Sequence, residues 1–160
     1  MSEPQVYMAC LSSYNNGLLR GAWRDADQLE NGKRNPGSGE EWAIHDYDGV
    51  PNMGEHPDIA FLIEAMRCIE EHGDGFFRWF EQDSWNMSHL KGELSERFQE
   101  QYRGEYDSPK AFAEEYAAEV GWLSNDNNNP LFRYVDFDWY WKADLRHSFT
   151  YSHGHVWCCE

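Results

Sequence analysis

Three groups of residues combine types and spacings that could do chemistry. His153-Gly154-His155, followed by Cys158-Cys159, has the composition of a metal site. Adjacent cysteines point to opposite faces of a strand, however, and neither a Cys-x-x-Cys nor a second spaced pair is present. These residues read instead as a hairpin ending in a buried cysteine. Asp136 and Asp138 stand at i, i+2 on a prospective strand face, beside Trp139 and Trp141. Paired carboxylates with ring platforms would suit a carbohydrate-binding or glycoside-hydrolysing domain. Among so many acids, though, such a pair is expected by chance. His45-Asp46 has neither a partner nucleophile nor a ligand set, and reads as a polar pair fixing a sheet. No nucleophile elbow, Walker motif, dinucleotide fingerprint or calcium loop occurs. The sequence thus offers no catalytic residues, no metal ligands and no cofactor site.

What remains is charge. The chain carries 29 acids against 13 bases, for a net charge of -16. Residues 1–55 contribute -5, residues 56–107 contribute -7 and residues 108–160 contribute -4, so the excess is no terminal tail. Such a field repels nucleic acid and anionic membrane and attracts a basic partner. Taken alone it is equally the mark of a protein kept soluble by its surface. Duplex DNA presents one phosphate charge per ~1.7 Å of axis. Carboxylates spaced along helices and strands could copy that density. Aromatic residues make up 16% of the sequence, too many for a disordered acidic chain. The four cysteines imply no disulfide framework. No apolar run approaches the ~20 residues of a membrane span, and no signal peptide is evident, so a cytoplasmic location is expected.

The elements that must carry these acids read as α+β. Val6–Leu11 and Leu18–Trp23 read as strands about an Asn15-Asn16-Gly17 turn, with Tyr14 at the sheet edge. Asp25 or Asp27 caps a short helix through Glu30. Gly32–Gly39 is a loop holding the only concentrated basic patch, Lys33-Arg34. Glu41–Asp48 supplies a third strand, with Trp42, Ile44 and Asp46 on one face and Glu41, Ala43, His45 and Tyr47 on the other. Residues 58–72 have helical spacing, with Ile59, Leu62, Ile63, Met66 and Ile69 on one face and Arg67 one turn from Glu71. Gly73-Asp74-Gly75 breaks that helix. A short amphipathic segment with Phe76, Phe77, Trp79 and Phe80 follows. A further helix spans about Ser88–Tyr102, with Leu90, Leu94, Arg97 and Phe98 in register. Ser108-Pro109 starts another, with Phe112, Tyr116 and Val120 inward and Gly121 as its stop. Residues 124–130 are a loop, Phe132–Val135 a strand, and Asp138 the cap of a helical turn through Leu145. Phe149–Ser152 and His155–Cys158 close as a hairpin. The expected division is 1–55 (antiparallel sheet with a short helix), 56–107 (helical) and 108–160 (small sheet with helices).

Two stretches carry a resemblance that composition does not. Val6 through Trp23, reading VYMACLSSYNNGLLRGAW, closely resembles the opening of the ArdA antirestriction proteins, and Glu41-Trp42-Ala43-Ile44-His45-Asp46-Tyr47 matches their E-[WY]-A-I-H-D-Y signature. Tyr106-x-Ser108-x-x-Ala111-Phe112-Ala113-Glu114-Glu115 resembles the segment leading into the family's last domain, and Gly154-His155-Val156-Trp157 its terminal strand. Tyr134, Asp136, Asp138, Ala143, Asp144 and Leu145 stand where the family's antirestriction motif falls in loose form. There Lys142-Ala143-Asp144-Leu145 replaces the more usual A-R-D-L.

The resemblance implies an elongated, three-part mimic of B-form DNA. It implies a non-enzymatic homodimer that inhibits type I restriction–modification enzymes by occupying the DNA-binding groove of their methyltransferase core as a conjugative plasmid or other mobile genetic element enters a bacterium. The acids expected to stand in for phosphates are Asp25, Asp27, Glu30, Glu41 and Asp48 in the first part. In the second they are Asp58, Glu64, Glu70, Glu71, Asp74, Glu81, Asp83, Glu93, Glu96 and Glu100, and in the third Glu114, Glu115, Glu119 and Asp126. Glycan binding on the aromatic platforms is the alternative.

Overall fold

The computed structural model describes residues 3–11, 15, 17, 20–32, 41–84, 86–120 and 131–159. Tyr14, the Lys33-Arg34 loop, Gly121, the 124–130 loop and Asp126 lie outside the described residues. The class is α+β, as expected: the described residues form six α-helices and two three-stranded antiparallel sheets. The chain divides into two compact units, residues 1–98 and residues 99–160.

In the first unit, β1 (Gln5–Cys10) lies between β2 (Gly21–Arg24) and β3 (Trp42–Asp48). Gly17 has φ 80°, the left-handed conformation that a tight turn takes from glycine. The strict alternation expected for β3 does not hold. Tyr7 pairs with Asp46 but Met8 pairs with Ile44, so His45 is an extra residue in a β-bulge. The slip buries Ala43 and Ile44 together and exposes His45 and Asp46 together. Asp46 then accepts the Tyr47 N–H at 2.8 Å. Trp42 is only half-buried.

Helix α1 (Ala26–Glu30) is capped by Asp25, which accepts from Gln28 N while Gln28 Oε1 accepts from Asp25 N, a reciprocal capping box. Helix α2 (Ile59–His72) buries Ile59, Phe61, Leu62, Ala65, Met66, Cys68 and Ile69, and Asp58 caps it. Gly73, at φ 77°, ends α2 and starts α3 (Asp74–Glu81). The single helix expected over 88–102 is two pieces. A 3-10 turn spans Asn86–Leu90, the chain turns at Gly92 (φ 87°), and α4 runs Leu94–Gln101 with Arg97 exposed. Phe76, Trp79, Phe80 and Phe98 pack ring against ring, with centroids 5.4–5.6 Å apart, beneath these helices.

In the second unit, β6 (His155–Cys158) lies between β5 (Phe149–Ser152) and β4 (Tyr102–Glu105), a strand the sequence reading missed. The expected hairpin is present, and its two-residue turn places His153 at φ 49° and Gly154 at φ 88°. Helix α5 (Pro109–Glu119) starts at Ser108, whose hydroxyl accepts from Ala111 N. Its inward stripe is Phe112, Ala113 and Ala117, with Tyr116 half-buried. Val120, expected inside, is 50% exposed because α5 has ended there.

The strand expected at Phe132–Val135 is a 3-10 turn over Phe132–Tyr134, with Arg133 and Tyr134 exposed. With Arg133 and Tyr134 facing water, the run buries no alternating face of the kind a sheet requires. The cap of α6 (Phe137–Ala143) is Asp136, not Asp138: its extended backbone aims Oδ1 at Trp139 N, 3.0 Å away. Asp136 and Asp138 are therefore a helix cap and a first-turn residue and form no pair on a strand face. Cys159 is exposed and Cys158 half-buried, so the sequence does not end on a buried cysteine; all four cysteines are free.

Candidate partner-binding surface

Carboxylates define the surface of both units. No Asp or Glu among the described residues is buried, and most are exposed. The structure sorts the expected acids by what already holds them.

One group is engaged in holding the fold. Asp25 and Asp58 cap helices. Half-buried Glu64 accepts from Gly92 N at 2.7 Å and Leu94 N at 3.2 Å, so an α2 side chain serves the start of α4. Asp83 accepts from Asn86 Nδ2. The Lys91 ammonium, 2.8 Å from Asp58, holds that carboxyl below the usual carboxylate range.

A second group surrounds two arginines. Arg67 on α2 reaches Asp27 (2.6 Å) and Glu30 (2.7 Å) on α1 as well as Glu70 (3.4 Å) on its own helix. Glu30 first, then Asp27, raises the guanidinium pKa further. The expected Arg67–Glu71 pairing gives way to this clasp, and Glu71 lies 3.8 Å from His72. Arg78 sits between Asp74 (3.6 Å) and Glu81 (3.3 Å). Each arginine gathers more negative charge than it cancels, so the local field stays acidic.

The remaining expected acids lie outside these clusters. Glu93, Glu96, Asp138 and Asp144 make no side-chain hydrogen bond or ion pair with a described residue. Glu41, Asp48 and Glu100 are exposed, as are Glu115 and Glu119 on α5, whose Glu114 is half-buried. Burial raises the Tyr106 phenol pKa, and Glu115 adds to the shift.

The motif-like residues divide the same way. Leu145 belongs to the core with Phe112, Phe137 and Phe149. Asp136 caps α6, whereas Asp138, Ala143 and Asp144 are exposed and Tyr134 is 73% exposed. The Arg133 guanidinium lies 5.2 Å from the Tyr134 ring centre. Exposed acids absent from the sequence reading include Glu55, Glu105 and Asp107. The last two flank Tyr106 and line an open cleft of about 630 Å³ with Tyr151 and Gly154. Only their adjacency to the Tyr106-x-Ser108 segment could have marked them.

Among the described residues, no group of three or more His, Cys, Asp or Glu could hold a metal ion. His155 is buried, with Nδ1 2.8 Å from Tyr102 Oη and Nε2 3.5 Å from Glu105. A family model described as antirestriction protein (ArdA) matches residues 6–156, which run through both units. The chain belongs to the ArdA antirestriction family. An antirestriction role follows from that membership, as does interaction with restriction enzymes, for ArdA proteins form a non-catalytic inhibitor family. A search of curated proteins gives no match to the chain. The ArdA match includes β1, the bulged β3 and the α6 region, so scaffold and acidic surface fall within one family span. No helix among the described residues is long and apolar enough to cross a membrane.

Proposed function

We propose that this ArdA chain inhibits type I restriction–modification enzymes by occupying the DNA-binding groove of their methyltransferase core. Its exposed carboxylates stand in for the phosphates of B-form DNA. The observation that carries this reading is the distribution of acids. They are exposed along α1, α2, α3, α4 and α5 and beside α6, none among the described residues is buried, and the arginine clusters leave the local surface net negative. A groove lined with Lys and Arg to hold DNA meets the same sign of charge here. The action is stoichiometric, without catalysis.

The proposal extends to a homodimer acting in the cytoplasm of a bacterium that is receiving a conjugative plasmid or other mobile element. Neither nucleic acid nor membrane is its partner. A three-part division at residues 55 and 107 is also proposed. Limited proteolysis leaving three resistant fragments would support it, and two fragments meeting near residue 98 would not.

The central test mixes the purified chain with a type I methyltransferase core and labelled DNA. The expected result is displacement of DNA at low salt, weakening steeply as salt rises. Failure to displace at low salt would refute the reading, and sedimentation as a monomer at the inhibiting concentration would refute the dimer.

A further inference from the structure

The second unit contains a cleft of about 280 Å³ between α5, α6 and the start of β5. Tyr116, Tyr140, Phe149, Leu145, Asp144 and Ser148 are among the residues that line it. The rings are fixed from behind. Tyr116 packs edge-on against Phe149 at 5.3 Å and tilted against Phe112 at 5.7 Å, and Phe149 and Leu145 belong to the core. Two polar groups of the cleft, on Asp144 and Tyr116, make no side-chain bond to a described residue. Asp144 starts a 3-10 turn (Leu145–His147) but its side chain makes no cap bond. Neither its carboxylate nor the Tyr116 hydroxyl bonds a described residue.

A carboxylate with vacant acceptor sites beside aromatic faces is the chemistry that takes a guanidinium. The planar cation stacks on a ring while its N–H fork meets the carboxylate. An ammonium would use the charge but not the flat ring surface. Resting on the function proposed above, we propose that this cleft is an anchor for a single arginine side chain of the restriction enzyme, with Asp144 as counter-ion and Tyr116 and Tyr140 as its walls. It differs from the distributed acids in having depth: a seated side chain is desolvated, whereas an exposed ion pair stays in water. Such an anchor fixes where along the basic groove the chain sits, which a uniform acidic surface does not.

Two measurements test it. In the first, the full chain and the variants Asp144→Asn, Tyr116→Phe and Asp138→Asn compete with labelled DNA for the methyltransferase core, after melting curves confirm equal folding. A desolvated, charge-assisted contact predicts a loss on the order of twentyfold for Asp144→Asn. Asp138→Asn, at a solvated acid in the first turn of α6, should lose less than about fivefold, with Tyr116→Phe in between. Equal losses for Asp144→Asn and Asp138→Asn would overturn the anchor.

In the second, N-acetylarginine amide is titrated into the full chain without any enzyme. The Tyr116 and Tyr140 ring resonances should shift in the wild type, not in Asp144→Asn, and less with N-acetyllysine amide. Unmoved rings would overturn the anchor whatever the competition shows. Ring shifts without DNA displacement by the wild type would support a guanidinium site and refute the function it was proposed to serve.

Discussion

Glu64 was expected to be a phosphate mimic, but its geometry makes it a structural acceptor, and the two roles predict opposite responses to one pair of substitutions. Its carboxylate bridges Gly92 N and Leu94 N at the start of α4, where the unbonded N–H groups and the helix dipole both favour a negative charge. Glu64→Ala would leave two donors without their acceptor. A hydrogen bond to a charged group contributes about 1.5–3 kcal/mol. Because Glu64 is half-buried and water can replace it in part, a net loss of about 2 kcal/mol is the working figure. For cooperative units of this size that corresponds to a fall in Tm of about 8 °C. Glu64→Gln keeps an acceptor oxygen at nearly the same place and loses only the charge, so it should recover about half of the loss. The assay is a pair of thermal melts alongside DNA competition on the methyltransferase core below the melting range. Stability should fall in the order wild type, Gln, Ala, while inhibition by the folded variants changes little. Melting temperatures within a degree or so of wild type for both variants, with inhibition reduced equally in both, would refute the argument and return Glu64 to the mimetic surface.

Arg67→Met should cost little stability, because the Asp27, Glu30 and Glu70 pairs it breaks are largely exposed and each is worth at most ~1 kcal/mol; inhibition should hold or strengthen, since the released acids then meet the partner unopposed, and a marked loss would show that the clasp positions them. Asp58 has a folded pKa lowered by Lys91 from an ordinary value of 3.8, so its contribution to stability is present above that value and is lost as pH falls through the lower, folded one. Denaturant titrations at stepped pH should therefore show wild type losing more stability than Lys91→Met across that acid window, and parallel curves would contradict the pairing. A Cβ added at Gly21 would lie 2.3 Å from the Tyr7 ring, so Gly21→Ala should destabilise the first sheet by about 1–3 kcal/mol in chemical denaturation. Neutralising several exposed acids of residues 58–107 together, for example Glu93, Glu96 and Glu100 to Gln, should weaken inhibition in small steps, with no single change abolishing it.

How much was legible depended on whether a signal was local. Gly17, Gly73, Ser108-Pro109 and the His153-Gly154 turn announced themselves, because a left-handed φ or a cap is decided within a few residues. The helix 59–72 was visible because its apolar spacing spans four turns. The bulge at His45 was not, since it follows from pairing with β1, far away along the chain. Strand β4 was hidden likewise: Tyr-Arg-Gly-Glu has no strand pattern of its own and is strand because β6 accepts it as an edge. The site shows the same limit. Sequence identified acids but not their neighbours, so Glu64 looked no different from Glu93, and Asp138 was read as the cap that Asp136 supplies. The cleft was least visible, since Tyr116, Asp144 and Phe149 come together only when α5, α6 and β5 pack.

An acidic surface and a single anchor do different physical jobs, and an inhibitor that must displace DNA needs both. Long-range attraction between a chain of net charge -16 and a basic groove raises the encounter rate and falls with salt, but it is nearly indifferent to sliding along the groove. DNA itself has that property, because its phosphates repeat. A mimic bound only by repeated charge would therefore exchange as readily as nonspecific DNA. One desolvated contact at a fixed place breaks the degeneracy: it contributes little to the approach and slows departure from one register. Asp144 is suited to that role because nothing among the described residues satisfies it. Asp27 and Glu30 are suited to the first role because they remain exposed while clasped by Arg67. On this division, substitutions in the acidic surface should act mainly on association and Asp144→Asn mainly on dissociation, a separation that stopped-flow binding to the methyltransferase core can read directly.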